Sequence, residues 1–262
     1  MSALFQACRG AGAPMVMIPG WAMHRKVWGG WGDALARRYR VCCIELPGHG
    51  GTPSRPGWTL PDVAARLAEA IEAPSVLVGW SLGGQVALQV ASNHPEKVAG
   101  LVLIGTNPKF AAEGGWPGMA VETLRRFREG VETDVTATLN RFLSLVCQGG
   151  DGRGLRLLRR NWRALPPPSL EDLLQGLRLL EEVDLRPVLA GICAPALVVA
   201  GVGDVLVPLE ASRRLAAMLP DGRLLTLEGG GHAPFLFHPE ALQSAVAGCF
   251  AGADLARGQP SR

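Results

Sequence analysis

The sequence predicts an α/β fold: a mostly parallel central sheet flanked by helices, with a helical lid inserted after the fourth recognised strand. Three observations carry this. Short apolar runs alternate with helix-period segments, as in a parallel sheet with helical crossovers. The alternation stops between Asn107 and about Arg186, where only helical patterns appear, and then resumes. The chain of 262 residues is 48% hydrophobic and 19% charged, apolar enough for one large core and unlike a disordered or acidic-tail protein.

Taken in order, the strand candidates are "MVMI" from Met15, "VCCIE" from Val41, "SVLVG" from Ser75 and "LVLIG" from Leu101. After the helical stretch come "ALVVAG" from Ala196 and "LLTLE" from Leu224. Parallel strands are covered on both faces, so near-continuous apolar runs are expected. In the insertion, "TLNRFLSLVCQ" puts Leu139, Phe142, Leu143 and Val146 on one helical face. "LRLLRRNWRAL" puts Leu155, Leu158 and Trp162 on one stripe and Arg156, Arg159, Arg160 and Arg163 on another. "PPPSLEDLL" starts a helix through Ser169 and Asp172, three residues on. The expected organisation is a core of residues 1–106, a lid of 107–186, a second core part of 187–252, and a small polar tail of 253–262 that frays. No internal repeat is evident.

Composition excludes several functions. A net charge of +3 is too small for a broad nucleic-acid-binding field, and only Lys26, Lys97 and Lys109 are lysines. The six cysteines include no C-x-x-C pair, so neither zinc nor dithiol redox chemistry is indicated; they are expected to be buried, reduced thiols. Cys42 and Cys43, adjacent in a strand, should face opposite sides. The start "MSALFQACRG" has neither the basic residues nor the apolar run of a signal peptide, and no apolar stretch spans a membrane. A cytoplasmic monomer without metal or organic cofactor is the expectation.

The chemistry centres on "SVLVGWSLGGQVAL", where Gly79-Trp80-Ser81-Leu82-Gly83 fits G-x-S-x-G between an apolar strand and a helix. A sharp strand-to-helix turn lifts the serine Oγ clear of the sheet. It needs small neighbours because strand and helix come too close for side chains. The helix N-terminus also faces negative charge forming there. The alternative is a serine that caps a helix over a glycine-lined packing contact. A serine nucleophile needs a base oriented by an acid, here in the chain order serine, acid, histidine. Asp204 follows "ALVVAG" in "GDVLVP", and His232 follows "LLTLE" on a glycine-rich loop. His24 and His49 lie in loops that border the site or are simply solvated. His94 and His238 read as turn residues, and Glu228 is too close to His232 in sequence to serve as its acid. Oxyanion donors should be the backbone N–H of Leu82 and that of Trp21 in the loop after "MVMI", which Gly20 lets approach; the Trp21 indole is a pocket wall or ordinary core packing.

The segments "IPGWAMHRKVW", "IELPGHGGT", "LVGWSLGGQVAL", "GDVLVP" and "GGGHAPFLFHPE" together resemble the α/β-hydrolase superfamily along the whole chain. Finer features resemble its carboxylesterases of biotin synthesis that act on methyl esters of pimeloyl-[acyl-carrier protein]: "NPKFAAEGGWPGM", "RFLSL", "EEVDLRPVL" and "HAPFLFHP". The resemblance implies an α/β-hydrolase fold and removal of a methyl group from pimeloyl carried on acyl-carrier protein. Trp21, Ser81, Leu82 and Phe142 would line the acyl site, and Arg156, Arg159, Arg160 and Arg163 would dock the acidic carrier. The residues themselves agree, because no acid occurs between Arg153 and Glu171; the alternative is a solvated helix face. Two departures stand out. Pro19-Gly20 replaces a usual His-Gly, which leaves the backbone donor intact. Glu45 replaces an aspartate, with consequences expected for loop packing only.

The implied mechanism has His232 deprotonate Ser81, Leu82 and Trp21 N–H groups hold the oxyanion, and Asp204 fix the imidazole. Serine at the elbow argues against the dehalogenase-like relatives that use aspartate. The rival readings are a broad carboxylesterase or lactonase on small free esters, and a catalytically silent binding module of the same fold.

Overall fold

The computed structural model describes residues 3–250. The tail expected at 253–262 lies outside them. In chain order the elements are β1 (Gln6–Arg9), β2 (Ala13–Ile18), α1 (Gly29–Leu35), β3 (Tyr39–Ile44), α2 (Leu60–Ala70), β4 (Ser75–Trp80), α3 (Leu82–Asn93) and β5 (Val98–Ile104). Four helices follow: α4 (Val121–Thr133), α5 (Val135–Val146), α6 (Gly152–Trp162) and α7 (Leu170–Glu182). The core then resumes with β6 (Ala196–Gly201), α8 (Leu209–Met218), β7 (Gly222–Leu227) and α9 (Pro239–Phe250).

Among the described residues the strands form one 7-stranded sheet in the order β1-β3-β2-β4-β5-β6-β7. It is parallel throughout except for β1, which pairs antiparallel with β3. The helical insertion sits between β5 and β6, which nevertheless pair directly, with Ile104 opposite Val199. Registers Ile18↔Gly79, Trp80↔Ile104 and Gly201↔Leu227 bring the carboxyl ends of β2, β4, β5, β6 and β7 to one side of the sheet. In open α/β sheets ligands bind at that edge. The apolar runs become the core as expected: Met15, Met17, Ile18, Val76, Leu77, Val78 and Leu101 to Ile104 are fully buried.

Three expectations are corrected. β1 is an additional strand, four residues long, and its polar "QACR" carries no apolar alternation to announce it. β7 is an edge strand, with Arg223, Leu224 and Thr226 exposed, so its apolar residues are not covered on both faces. The cysteines are not all reduced and buried. Cys8 and Cys42 stand opposite each other in the β1–β3 ladder, Cα atoms 4.0 Å apart, and form a disulfide, and Cys193 is exposed. Cys43, facing the other way from Cys42, is a buried thiol that desolvation pushes up to about 11.

The insertion packs as amphipathic helices. Leu139, Phe142, Leu143 and Val146 are buried on α5, and Leu158 on α6. The Ser169 hydroxyl caps α7, accepting from the Asp172 N–H at 3.2 Å, as its spacing predicts. α4 packs on α5 and α7, while α6 packs on the turn Arg25–Trp28 of the core.

Candidate active site

Ser81 joins β4 to α3 with φ +57° and ψ −120°, a backbone conformation that L-residues rarely adopt. The neighbouring glycines show why the corner is so tight. A Cβ at Gly79 would lie 2.5 Å from the Gly83 carbonyl oxygen, one at Gly83 2.2 Å from that of Ile18, and one at Gly84 1.9 Å from Thr106 Oγ1. The Ser81 N–H donates to the Ile104 carbonyl (2.9 Å), fixing the corner to the end of β5.

His232 and Asp204 arrive on the loops after β7 and β6. His232 Nδ1 lies 2.8 Å from Asp204 Oδ2, both side chains essentially buried. The other carboxylate oxygen, Oδ1, accepts from the backbone N–H groups of Leu206 (2.8 Å) and Val207 (3.0 Å). Both oxygens of an ionised carboxylate are acceptors, so Nδ1 carries the proton and Nε2 a lone pair. His232 Nε2 is buried and bonds to no group among the described residues, Ser81 Oγ included. A loose nucleophile–base contact is common before substrate binds. The residue before Ser81 and the residue after its anchor Ile104 both meet the histidine. The Trp80 indole N–H donates to the His232 carbonyl (2.8 Å), and Gly105 follows Ile104 with no room for a Cβ, which would sit 2.9 Å from His232 Nδ1. The His232 N–H in turn donates to the Val146 carbonyl of α5 (3.0 Å).

The loop after β2 brings a third component. Gly20 abuts the corner: a Cβ there would lie 3.1 Å from Ser81 Cβ and 3.7 Å from Oγ. Among the described residues neither the Leu82 nor the Trp21 backbone N–H donates to a protein acceptor. Two free donors beside a serine can hold an oxyanion. Leu82 N–H is moreover among the first, unbonded donors of α3. The Trp21 indole donates to the Leu173 carbonyl of α7 (2.8 Å) and stands edge-on to Phe142 and Phe127, centroids 4.8 and 6.4 Å away. Trp21 is thus an aromatic contact between core and lid, and Phe142 stands against it.

Other expectations fare differently. His24 and His49 are not solvated: they are 1% and 0% exposed, and burial lowers the pKa of each. Glu45 acts in loop packing, accepting from Arg25 and from the Gly51 N–H. Arg156, Arg160 and Arg163 are exposed on α6 and at its end, and no ion pair among the described residues holds them. Arg159 leaves that face. It is half-buried, and its guanidinium donates to Ser144 Oγ on α5 (3.2 Å). A cleft of about 710 Å³ between the α5–α6 turn and the start of α9 is lined by Arg153, Leu157, Phe237 and His238 and by none of Ser81, Asp204 and His232. Trp80 and Phe127 are site residues the sequence did not single out. The G-x-S-x-G position of Trp80 was the available signal for the first; nothing marked Phe127 beyond helical periodicity.

The fold and this site define a class. The chain belongs to the alpha/beta hydrolase fold family, whose family model matches residues 13–239. Its structure is similar to those of an esterase from Exiguobacterium antarcticum (TM-score 0.86, 24% identity, 94% of each chain covered) and an enol-lactonase from Burkholderia xenovorans (TM-score 0.81, 20% identity, 95% of this chain and 96% of that one), which shows the fold. Within the class, the sequence is 40% identical over 239 residues to a pimeloyl-[acyl-carrier protein] methyl ester esterase from Methylococcus capsulatus, covering 90% of this chain and 94% of that one. It is 38% identical to one from Nitrosomonas europaea, covering 93% and 98%. The chain therefore belongs to the family of pimeloyl-[acyl-carrier protein] methyl ester esterases.

Proposed function

We propose that this protein is a serine carboxylesterase that hydrolyses the methyl ester of pimeloyl-[acyl-carrier protein] in biotin biosynthesis, through Ser81, His232 and Asp204. The observation that supports the reaction class is the oriented imidazole: Asp204 accepts from Nδ1, which leaves the Nε2 lone pair buried and unbonded, and the His232 carbonyl is held by Trp80, the residue before the strained, glycine-boxed Ser81. The substrate is supported by the names of the relatives at 34–40% identity.

His232 Nε2 takes the Ser81 Oγ proton as Oγ attacks the ester carbonyl carbon. The Leu82 and Trp21 N–H groups hold the oxyanion; losing one such donor costs about 3–4 kcal/mol of transition-state stabilisation. The imidazolium, stabilised by Asp204, protonates the departing methoxide, and methanol leaves. Water, deprotonated by the same Nε2, then cleaves the acyl-serine to free the carboxylate and restore Ser81. Trp21, Phe142 and Phe127 present apolar surface for the acyl chain. Arg156, Arg160 and Arg163 offer unpaired positive charge to an acidic carrier, and Arg159 braces α6 on α5 behind them. The enzyme works as a cytoplasmic monomer and needs no metal or organic cofactor.

The test is methanol release from methyl-pimeloyl carrier protein beside free dimethyl pimelate. Turnover of the carrier-bound ester, with a higher kcat/KM than the free ester and a fall of at least about 10⁴-fold in Ser81→Ala, is the expected result. Equal or better use of the free ester overturns the carrier reading and leaves a general carboxylesterase. Silence toward both overturns the reaction.

A further inference from the structure

Ala22, next to the proposed oxyanion donor, has φ +60°, the only positive φ outside glycine and Ser81 among the described residues. A left-handed alanine persists only where its surroundings over-determine it. The loop supplies one bond of its own, Met23 N–H to the Gly20 carbonyl (3.2 Å). In a trans peptide the carbonyl and the following N–H point in opposite directions. With the Gly20 oxygen turned into the turn, the Trp21 N–H is turned out of it.

Further restraints come from the lid, and two of them meet at one residue. The Trp162 indole N–H donates to the Ala22 carbonyl (2.9 Å). His24 Nε2 lies 2.7 Å from the Trp162 carbonyl, and Nδ1 accepts from the Lys26 N–H (3.2 Å), so Nε2 is the protonated nitrogen and donates to Trp162. Trp162 thus grips the loop on both sides of Met23, once through its side chain and once through its backbone. The residue is the last of α6, the helix that carries Arg156 and Arg160.

We infer that Trp162 is a positioning residue: it holds residues 20–24 so that the Trp21 N–H faces the oxyanion, and through α6 it ties that donor to the arginine face. This rests on the esterase reading above. Trp162 makes no hydrogen bond or ring contact with Ser81 or His232; its bonds go to the loop. Because a displacement of about 1 Å in a catalytic group costs up to roughly 10²-fold in rate, a partly released donor should cost about tenfold.

The experiment compares wild type and Trp162→Phe on a small water-soluble methyl ester without carrier. It measures kcat, KM, melting temperature and inhibition by a trifluoromethyl ketone, whose hemiketal oxygen occupies the oxyanion position. The expected result is kcat down about tenfold, KM within about twofold, and ketone affinity down by the same factor as kcat/KM. A lowered melting temperature with wild-type kcat and ketone affinity makes Trp162 a packing residue and overturns the inference. If Trp162→Phe is not recovered folded, His24→Leu removes the second grip and is read the same way. If the wild type does not turn over this ester, the same comparison is made on methyl-pimeloyl carrier protein and read the same way; silence toward both overturns the esterase reading itself, and the inference with it.

Discussion

His49 is fully buried on the loop after β3, its Nδ1–H donating to the Pro47 carbonyl at 2.8 Å and its Nε2 unpaired. Desolvation lowers its pKa below 6.5, outweighing the opposing pull of the Pro47 bond, Asp172 and Glu45. The folded imidazole therefore takes up a proton less readily than the unfolded one, which protonates as pH falls through 6.5. The unfolded state then binds more protons, so stability falls as pH drops below that value. Melting temperatures between pH 7.5 and 5.5 should decline accordingly. In His49→Asn the decline should be shallower, even though the variant starts lower because its cavity is poorly filled. An unchanged slope would show that His49 does not carry the dependence. Ser81 and its glycines were legible because a steric demand that strict leaves only one kind of sequence. The burial of His24 and His49 was not, since a loop histidine looks alike in sequence whether protein covers it or water does.

Among the elements, α7 packs directly on the proposed oxyanion loop, through Trp21. Gly176 in its middle costs the helix about 1 kcal/mol relative to alanine, and the packing explains it: a Cβ there would lie 2.5 Å from Trp21 Cδ1. Gly176→Ala should therefore improve helix propensity and still impair the enzyme, by pushing Trp21 off its bond to the Leu173 carbonyl. A fall in kcat/KM of about tenfold with little change in melting temperature is expected from kinetics and thermal denaturation; full activity would show that Trp21 has room to give. Periodicity made the inward faces of α5 and α6 legible, because apolar spacing is a direct image of burial. The fate of Arg159 was hidden. On α6 it lies on the flank between the arginine stripe and the Leu155–Leu158–Trp162 stripe, and only the presence of Ser144 on α5 decides which way it turns. β1 was hidden for a related reason. A four-residue polar edge strand exists through its ladder with β3, and no local pattern encodes a partner so distant.

At the scale of the molecule, charge is unevenly placed: a net +3 is modest, yet Arg156, Arg160 and Arg163 cluster unpaired on one helix. Charge complementarity acts mainly on association and weakens with salt. The double variant Arg156→Glu, Arg160→Glu should raise KM for the carrier-bound ester by at least about tenfold and flatten its salt dependence, leaving free-ester turnover near wild type. Equal losses on both substrates in steady-state assays would point to a damaged lid instead. The alternation of strands and helices foretold most of the sheet, including where the insertion interrupts it, while the Cys8–Cys42 bond required the three-dimensional register. The pairing of β5 with β6 across the whole insertion has a consequence for biosynthesis. Ser81 is translated well before the ribosome reaches Asp204 and His232. A nascent chain that has emerged only through α7 holds the proposed nucleophile and the lid but neither the proposed acid nor the proposed base. Hydrolytic competence therefore arrives last and all at once, when the final third of the polypeptide zips onto β5.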